Sequence, residues 1–428
     1  MSQPLRIAIA GLGTVGGGIV KMMQKHSALL EKRAGKAIEI TAVSARSRGK
    51  DRGVDLSAYA WEDNPVALSQ RNDVDLVIEV MGGEDGPAKA CVETALQNGK
   101  HVVTANKAML ALHGQEMAEM AENAGVALRY EAAVAGGIPI VKALTEGLAG
   151  NGISRIMGVM NGTCNYILTE MERSGAAYGD VLKDAQKLGY AESDPSVDVG
   201  GIDAAHKLSL LASVAFGTKV DFAAVQIEGI ERVSLADIKN ARDMGYSIKL
   251  LGVARMNADG LEQRMQPCLV RGDSPLGQLD GVSNMVVVEG DFIGQTVFQG
   301  PGAGEGPTAS AIMGDVMDIA RGLVIPVFGQ PAAGLSKTNG SDSGSDAAYY
   351  LRFSLQDQAG VLATLATILG NFGVSINRMH QYSHDGKTAP LVIVTHATSR
   401  AALNNALAEI SALSVSLAAP VALRIETL

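Results

Sequence analysis

The segment "GYAESDPSVDVGGIDAAHK" (189–207) places four carboxylates ahead of a lysine, in a chain with only 19% charged residues. Asp203 and Lys207 stand four residues apart at the start of a predicted helix, so both side chains emerge on one face. Such a pair is more often a surface ion pair, worth well under ~1 kcal/mol. The helix becomes strongly apolar after Lys207, however, which anchors this end in a core. Acids facing a lysine suit an α-amino acid substrate that carries an ammonium group and a reducible carbon.

A glycine motif opens the chain in "LRIAIAGLGTVGGGIVKMM", which reads as a buried strand, a turn and a helix. Gly11 permits the tight turn, Gly13 lets the backbone approach a pyrophosphate, and Gly16 lets helix and strand pack closely. The phosphate would lie at the helix N-terminus, where free N–H groups favour anions. The motif therefore predicts a Rossmann-type dinucleotide site, with a non-binding α/β relative as the alternative.

The end of the second predicted strand bears on the choice between NAD and NADP. An acidic residue there would bind the ribose hydroxyls, but "SARSRGKDRG" presents Arg46 and Arg48 before Asp51. Arginine suits a 2′-phosphate through forked, charge-assisted hydrogen bonds. We therefore predict that Arg46 favours NADP; an ordinary basic surface loop is the alternative, and NAD remains possible.

The predicted elements place these groups at one edge of a sheet. Strand-like segments alternate with helix-like ones, which predicts a doubly wound parallel sheet in a domain spanning 1–135. Ligands bind beyond the carboxyl ends of such strands, where Lys107 would reach the nicotinamide region. A surface lysine is the alternative, but a helix start disfavours a cation. The strand-like segments after the first are 37–45, 74–82, 100–106 and 126–134.

The middle of the chain changes pattern. Residues 153–168 read as strand, turn and helix, and the region from about 225 to 300 is rich in strands, which predicts an antiparallel sheet in a second domain over 136–330. The glycine loop of "GPGAGEGPTASAIMGDVMDIARG" should face the cleft of the first domain. Its helix, 307–325, is expected to pack back on that domain.

The remainder divides into a Ser/Gly/Asp-rich linker at 331–347 and a βαββαβ pattern at 348–428. A net charge of −9 argues against nucleic acid and against an anionic membrane surface. No apolar run reaches membrane-spanning length, and no signal-type segment begins the chain. Three scattered cysteines make a zinc cage or disulfide framework improbable. These features predict a cytoplasmic enzyme.

The segment that ends at Lys207 resembles the signature of the homoserine dehydrogenases. "GLGTVGGG", "TANK", "NGTCNYIL" and "GPGAGEGPTASA" resemble that family in the same order, so the resemblance covers most of 5–325. It implies NAD(P)H-dependent reduction of L-aspartate 4-semialdehyde to L-homoserine, and a mixed-sheet catalytic and dimerisation domain. With the glycine motif and Arg46, the predicted cofactor contacts are Gly11, Gly13, Thr14, Val15, Gly16, Arg46, Thr104, Lys107, Gly304 and Glu305.

The resemblance also implies roles within the substrate site. Lys107 and Lys207 are the two candidates for proton transfer, without a ranking between them, and Asp203 would hold the substrate and orient Lys207. Glu192 would meet the substrate ammonium. The other predicted substrate contacts are Asp198, Tyr190, Gly162 and Thr163.

"YEAAVAGGIP" resembles the monovalent-cation site of the family. The implied ligands are the Glu131 carboxylate and the carbonyl oxygens of Val134, Gly136 and Ile138. This is a hard oxygen set that suits Na⁺ and not zinc. The alternative for Glu131 is a structural hydrogen bond at a strand end.

The C-terminal pattern resembles ACT domains, which bind amino acids and regulate biosynthetic enzymes. "DQAGVL" matches their first strand-to-helix turn, so an amino-acid effector is expected near Asp357, Gly360 and Asn377, with threonine favoured. A purely structural dimerisation module is the alternative. A homodimer or homotetramer is expected.

The sequence is also compatible with two other functions. A cysteine-dependent semialdehyde dehydrogenase would form a thioester, with Cys164 as the candidate nucleophile. An amino-acid sensor with an inactive reductase core is the other rival, but such a core has no need of Lys107, Asp203 and Lys207 together.

Overall fold

The computed structural model describes residues 3–341, 344–381 and 388–427. The first sheet is parallel throughout, with strand order β3-β2-β1-β4-β5-β6. This is the predicted doubly wound order; only the short β3 was not foreseen. Its elements are β1 (Leu5–Ala10), α1 (Thr14–Ala34), β2 (Ile38–Ser44), β3 (Ala60–Glu62), α2 (Pro65–Leu68), β4 (Leu76–Glu79), α3 (Pro87–Gln97), β5 (His101–Thr104), α4 (Lys107–Ala124) and β6 (Leu128–Arg129).

The second sheet begins with the order β12-β11-β7-β9-β10, whose neighbouring strands are antiparallel as predicted, and β8 pairs with β10 in parallel. Helix α9 packs across β7, β9 and β10 with an almost wholly buried surface. The elements are α5 (Ile140–Lys142), β7 (Ile153–Val159), α6 (Gly162–Ser174), α7 (Tyr178–Lys187), α8 (Ser196–Val199), α9 (Ile202–Phe216), β8 (Gln226–Ile227), α10 (Leu235–Asp243), β9 (Tyr246–Asn257), β10 (Gly260–Arg271), β11 (Ser283–Gly290), β12 (Gly294–Pro301) and α11 (Glu305–Ala320).

Helix α11 returns to the first domain and packs along α1. Ile312, Met313 and Val316 belong to the same apolar cluster as strand β1. The helix spans Glu305–Ala320 and not the predicted 307–325, because the chain turns back through a hydrogen bond from Gly322 N to Ile319 O. This packing brings the glycine loop before α11 to the edge of the first sheet.

The C-terminal region has the predicted βαββαβ order, with sheet order β16-β13-β15-β14. Strand β16 also pairs in parallel with β10, from Cys268↔Arg424 to Val270↔Glu426, so the C-terminal sheet is continuous with the sheet of the second domain. No pattern in the sequence indicated this pairing. The elements are β13 (Tyr349–Gln356), α12 (Val361–Asn371), β14 (Ile376–Gln381), β15 (Thr388–Thr395), α13 (Arg400–Ser411) and β16 (Val421–Glu426).

The segment predicted as a linker, 331–347, runs against the second domain. Isolated bridges join Thr218 to Ser336 and Leu261 to Gly340, so its described part is not a free spacer. Within the described residues, no helix is long and apolar enough to cross a membrane.

Candidate active site

A cavity of about 740 Å³ lies between the first sheet and the second domain. Its walls are formed by the first turn of α1, the start of α4, the start of α6, the α8–α9 region and the glycine loop before α11. Three predicted catalytic side chains line it together: Lys107, Asp203 and Lys207.

A buried network fixes the start of α4. The Glu79 carboxylate, at the end of β4, accepts hydrogen bonds from the Thr104 hydroxyl (2.6 Å) and from Met81 N (2.6 Å). Asn106 caps α4 by accepting from Met109 N (3.2 Å), and it donates to Gly83 O (2.6 Å). The two strand ends are thus tied together one residue before Lys107.

Asp203 bridges the two lysines. Its Oδ2 lies 2.7 Å from Lys207 Nζ and its Oδ1 lies 2.9 Å from Lys107 Nζ. Lys207 also donates to Met160 O (2.8 Å) at the end of β7. The side chains of Asp203 and Lys207 are 13% and 11% exposed, against 33% for Lys107. The pair predicted as a local helix contact is therefore a three-membered cluster, and its third member crosses from the first domain.

Asn161 joins this cluster to Asp198. It caps α6 by accepting from Cys164 N (2.8 Å), while Nδ2 donates to Asp198 Oδ1 (2.8 Å) and to Asp203 Oδ2 (3.2 Å). Asn161 was not among the predicted site residues. Its position could have indicated its role, because an Asn between a strand and a helix is typically the N-cap of that helix.

The two carboxyl groups have opposite electrostatic surroundings. Burial tends to raise the pKa of Asp203, but the ammonium groups of Lys207 and Lys107 outweigh it and hold this pKa below its usual range. Burial raises the pKa of Asp198, and the hydrogen bond from Asn161 offsets this only in part. Asp203 is therefore a fixed negative charge, and Asp198 is the carboxylate more easily protonated.

The other predicted substrate contacts divide. Gly162, Thr163 and Tyr190 line the cavity, and the Thr163 hydroxyl donates to Tyr190 O (2.6 Å). Glu192 is exposed and is not among the lining residues; Gln186 holds its backbone oxygen (3.0 Å). Its predicted contact with a substrate ammonium is not visible in this arrangement.

The glycine motif fits a dinucleotide. Gly11 has φ +106°, and a Cβ there would lie 2.7 Å from Val80 O, while a Cβ at Gly16 would overlap Gly11 O. A Cβ at Gly13 would meet nothing within 4 Å, so space for a phosphate remains before α1. Thr14 is exposed at the first turn, and Val15 lines the cavity.

The predicted cofactor contacts outside this motif have varied surroundings. Gly304 lines the cavity, whereas Glu305 forms an ion pair with Lys21 on α1 (2.7 Å). Thr104 is buried beneath the site, in the network with Glu79.

Arg46 is exposed directly after β2. The loop behind it is held by Arg52, which donates to Leu12 O (2.9 Å) and Ser47 O (2.5 Å) and stacks on Trp61. Asp51 accepts from Gly53 N (2.8 Å) within the same loop.

Glu131 is buried just after β6, and its two carboxylate oxygens accept hydrogen bonds from Val141 N (2.9 Å) and Lys142 N (2.8 Å) in α5. Burial and the neighbouring Asp315 raise its pKa to about 7. Val134 and Ile138 are buried nearby, and Gly136 lines the cavity. The structural role considered for Glu131 is thus present, and a buried carboxylate with a raised pKa is also suited to accept a cation.

Cys164 is fully buried, and its thiol donates to Asp198 O (3.2 Å). Burial raises the pKa of this thiol well above its usual value, which disfavours a thiolate nucleophile. The geometry therefore does not support a cysteine-dependent reaction.

The predicted effector residues are exposed. Gly360 precedes α12, Asp357 lies in the turn before it, and Asn377 lies on β14 with Nδ2 3.5 Å from His396 Nδ1.

A Rossmann sheet, a lysine–aspartate–lysine cluster facing its carboxyl edge and an appended ACT-like sheet define a nicotinamide-dependent oxidoreductase. Comparison with known proteins names the family. The homoserine dehydrogenase profile matches 139–317, the homoserine dehydrogenase NAD-binding domain matches 11–131, and the ACT domain matches 349–415.

Full-length relatives agree. A homoserine dehydrogenase of Neisseria gonorrhoeae is 44% identical over 420 residues, covering 96% of each chain. The crystal structure of a homoserine dehydrogenase from Thiobacillus denitrificans superimposes with a TM-score of 0.94 at 39% identity, covering 99% of each chain. A hyperthermophilic archaeal homoserine dehydrogenase in complex with NADPH matches 75% of this chain and 99% of its own, with a TM-score of 0.65 at 25% identity. The chain belongs to the homoserine dehydrogenase family and is an NAD(P)-dependent oxidoreductase.

Proposed function

We propose that the cavity between the two domains interconverts L-aspartate 4-semialdehyde and L-homoserine, with Lys107, Asp203 and Lys207 as its catalytic groups. The observation that carries this assignment is the bridging of both lysines by one buried carboxylate, at 2.7 and 2.9 Å. Two cations held beside one cavity match a reaction in which negative charge develops on oxygen.

A nicotinamide cofactor, when bound, would supply the hydride for the aldehyde carbon. The ammonium groups of Lys107 and Lys207 stabilise the developing alkoxide, and one of them delivers the proton. Asp203 keeps both ammonium groups close together. The Lys207 ammonium group also donates a hydrogen bond to Met160 O, which helps to fix its position.

Substrate recognition is assigned to Asp198, Tyr190, Gly162 and Thr163 in the cavity wall. Asp198 offers a carboxylate to the substrate ammonium, which is a charge-assisted pairing. Glu192 would join it after a movement of the exposed segment that carries it.

The test is to mix the protein with L-homoserine and NADP at alkaline pH and to follow reduced nicotinamide by absorbance. Wild-type protein should give a rising trace, and Lys207→Ala should lower turnover by roughly 100-fold or more while it still binds NADP. Lys183→Ala, which removes an exposed lysine (71%), is the matched control. A Lys207→Ala variant with near-wild-type turnover would refute the assignment.

NADP is the proposed cofactor, with NAD as a weaker substitute. The exposed Arg46 and the engagement of Asp51 within its own loop support a site for a 2′-phosphate.

A monovalent cation such as Na⁺ is proposed at Glu131 and the carbonyl oxygens of Val134, Gly136 and Ile138. It would supply positive charge to a buried carboxylate whose pKa is raised to about 7. At pH 8, NaCl should raise the melting temperature more than choline chloride does. Glu131→Gln should remove that difference, and an equal effect of both salts on wild type would exclude the site.

Threonine is the proposed effector of the ACT domain, at Asp357, Gly360 and Asn377. Calorimetric titration with threonine, methionine and isoleucine tests this assignment, and no heat from any of them would favour a structural module.

A homodimer or homotetramer is proposed, supported by exposed Phe292 and Val297 on the β11–β12 hairpin, and light scattering tests it. The cytoplasmic location predicted from the sequence is retained.

A further inference from the structure

One buried amide in the cavity wall lacks a partner. Asn284, near the start of β11, is 1% exposed and lines the cavity, and its Oδ1 has no hydrogen-bond partner within the described part of the chain. A buried acceptor without a partner costs about 1–3 kcal/mol. Such a group in a folded protein therefore requires an explanation, and a ligand in the adjoining cavity would provide one.

Two other polar side chains of this wall are already engaged. Asn161 donates to Asp198 and Asp203, and the Thr163 hydroxyl donates to Tyr190 O. Asn284 differs from them because its side-chain acceptor is buried and has no partner among the described residues.

The position of the Asn284 amide is fixed by the glycine loop before α11. The backbone of Asn284 pairs with Gly300 in β12, and the side chain lies directly on Gly302, where any Cβ would overlap the amide. Pro301 O accepts from Gly137 N (3.0 Å), which ties this loop to the chain just beyond β6. The amide therefore lies beside the carboxyl edge of the first sheet, where the reactive end of a dinucleotide binds.

We propose that Asn284 pairs with the carboxamide of the bound nicotinamide. Oδ1 accepts a hydrogen bond from the carboxamide NH₂, and Nδ2 donates to the carboxamide oxygen. A primary amide offers one donor side and one acceptor side in a plane, and a second primary amide is its complement. A substrate ammonium instead finds a carboxylate, Asp198, in the same cavity, and a carboxylate is the stronger partner for a cation.

This inference rests on the proposed placement of the nicotinamide in the cavity, and its test separates the two. Binding is measured by calorimetry without substrate, with NADP⁺ and with its 3-acetylpyridine analogue, which keeps the carbonyl group but lacks the NH₂. Wild-type protein should bind NADP⁺ about tenfold more tightly than the analogue, the effect of one hydrogen bond to a buried acceptor. Asn284→Ala should bind the two with similar affinity.

Asn151→Ala, a half-buried asparagine remote from the cavity wall, is the control and should keep the tenfold preference. The thionicotinamide analogue keeps the NH₂ but has sulfur, a weaker acceptor, in place of the carbonyl oxygen. It should bind wild-type protein more tightly than the acetylpyridine analogue does, because it leaves no buried acceptor unpaired, so the test stands even if Asn284→Ala does not fold. Equal affinity of wild type for NADP⁺ and the acetylpyridine analogue would overturn the pairing. A variant that keeps the preference but loses affinity for homoserine would also overturn it, and would place Asn284 on the substrate. Failure of wild type to bind NADP⁺ would overturn the cofactor site itself.

Discussion

At the scale of single residues, the Asp203 carboxylate determines how the two lysines are used. Asp203→Asn removes the charge that holds Lys107 and Lys207 together but keeps the shape of the side chain. We expect turnover to fall roughly 100-fold or more, with NADP affinity nearly unchanged, because the two ammonium groups repel each other once the bridging carboxylate is removed. Steady-state kinetics and calorimetry measure the two effects. Asp184→Asn, in the exposed pair with Lys187, is the control; retained turnover in Asp203→Asn would contradict the cluster's role.

The same carboxyl group gives a pH dependence of stability. The folded protein holds the pKa of Asp203 below its ordinary value of 3.8, so its ionisation stabilises the fold above that pH, and the gain is lost as the pH falls through the lowered pKa. Asp203→Asn should therefore cost roughly 2–4 kcal/mol at neutral pH and progressively less below pH 3.8. Urea unfolding at pH 7, 5 and 3 tests this.

Asp198 should show the opposite sign. Its pKa is raised by burial, so ionisation opposes folding, and the penalty grows as the pH rises above 3.8. In the same urea series, Asp198→Asn should gain stability relative to wild type between pH 3 and pH 7. Parallel pH profiles for the two variants would show that neither pKa shift belongs to the folded protein.

Arg46 makes a prediction about the cofactor. If it contacts the 2′-phosphate, Arg46→Ala should raise the Michaelis constant for NADP by about tenfold, the loss of one charge-assisted contact, and leave that for NAD unchanged. Arg321→Ala, an exposed arginine (51%) with a weak pair to Asp318 (3.8 Å), is the control. An unchanged ratio of the two constants would exclude Arg46 from the phosphate site.

At the scale of elements, helix α6 holds one wall of the cavity through Asn165. Its Nδ2 donates to Leu279 O (3.1 Å) and Gly281 O (2.8 Å), and its Oδ1 accepts from the buried Lys249 (3.2 Å). The chain continues directly into Val282, whose carbonyl lies against Gly162 at the start of α6. The wall formed by Val282 and Asn284 is therefore positioned by α6. The first two residues of this helix are themselves predicted substrate contacts.

Asn165→Ala should remove both donated bonds and weaken this wall. We expect a loss of about 2–3 kcal/mol in the free energy of unfolding, since two buried carbonyls lose a partner, and a higher Michaelis constant for homoserine. Thr169→Val, one turn later on the same helix, removes a buried hydroxyl that has no partner in the described residues and should be nearly neutral. Equal stabilities for the two variants would show that the loop is held by other contacts.

At the scale of the whole molecule, the C-terminal sheet (β16-β13-β15-β14) is joined to the catalytic sheet through the β10–β16 pair. A buried charge network lies along this junction: Arg264 contacts Glu262 (2.7 Å) and Glu426 (2.6 Å), and Arg424 contacts Glu426 (2.5 Å) and the Tyr349 hydroxyl (3.2 Å). All four charged side chains are at most 8% exposed. The C-terminal sheet is therefore joined to the catalytic sheet by paired backbone and not by a flexible tether.

Removing the Arg264 guanidinium, which pairs with both Glu262 and Glu426, should uncouple the unfolding of the C-terminal sheet from that of the catalytic sheet. Arg264→Met leaves Glu262 and Glu426 buried without this partner, at a cost of about 3–5 kcal/mol. We expect calorimetry to show a separate, earlier unfolding transition for the C-terminal region and a smaller response of activity to any effector. Arg271→Met, at the exposed end of the same strand (67%), should unfold as wild type does. A single unshifted transition in Arg264→Met would show that the network does not couple the sheets.

The sequence by itself determined what depends on local chemistry. The glycine turn needs particular residues at particular positions, the helical spacing puts Asp203 and Lys207 on one face, and the βαββαβ pattern follows from alternating periodicities. The family signature, which is also a local run of residues, indicated the reaction.

Only the tertiary structure decided which distant groups meet. Lys107 reaches Asp203 because α4 packs on α9, and β16 pairs with β10 across more than 150 residues of chain, which no local pattern encodes. Glu192 lies in the signature yet is exposed, whereas Asn284, outside it, lies in the cavity wall with a buried acceptor that no described residue pairs with. The physical reason is that spacing along a chain fixes which face of an element a side chain occupies, while packing between elements fixes what that face meets.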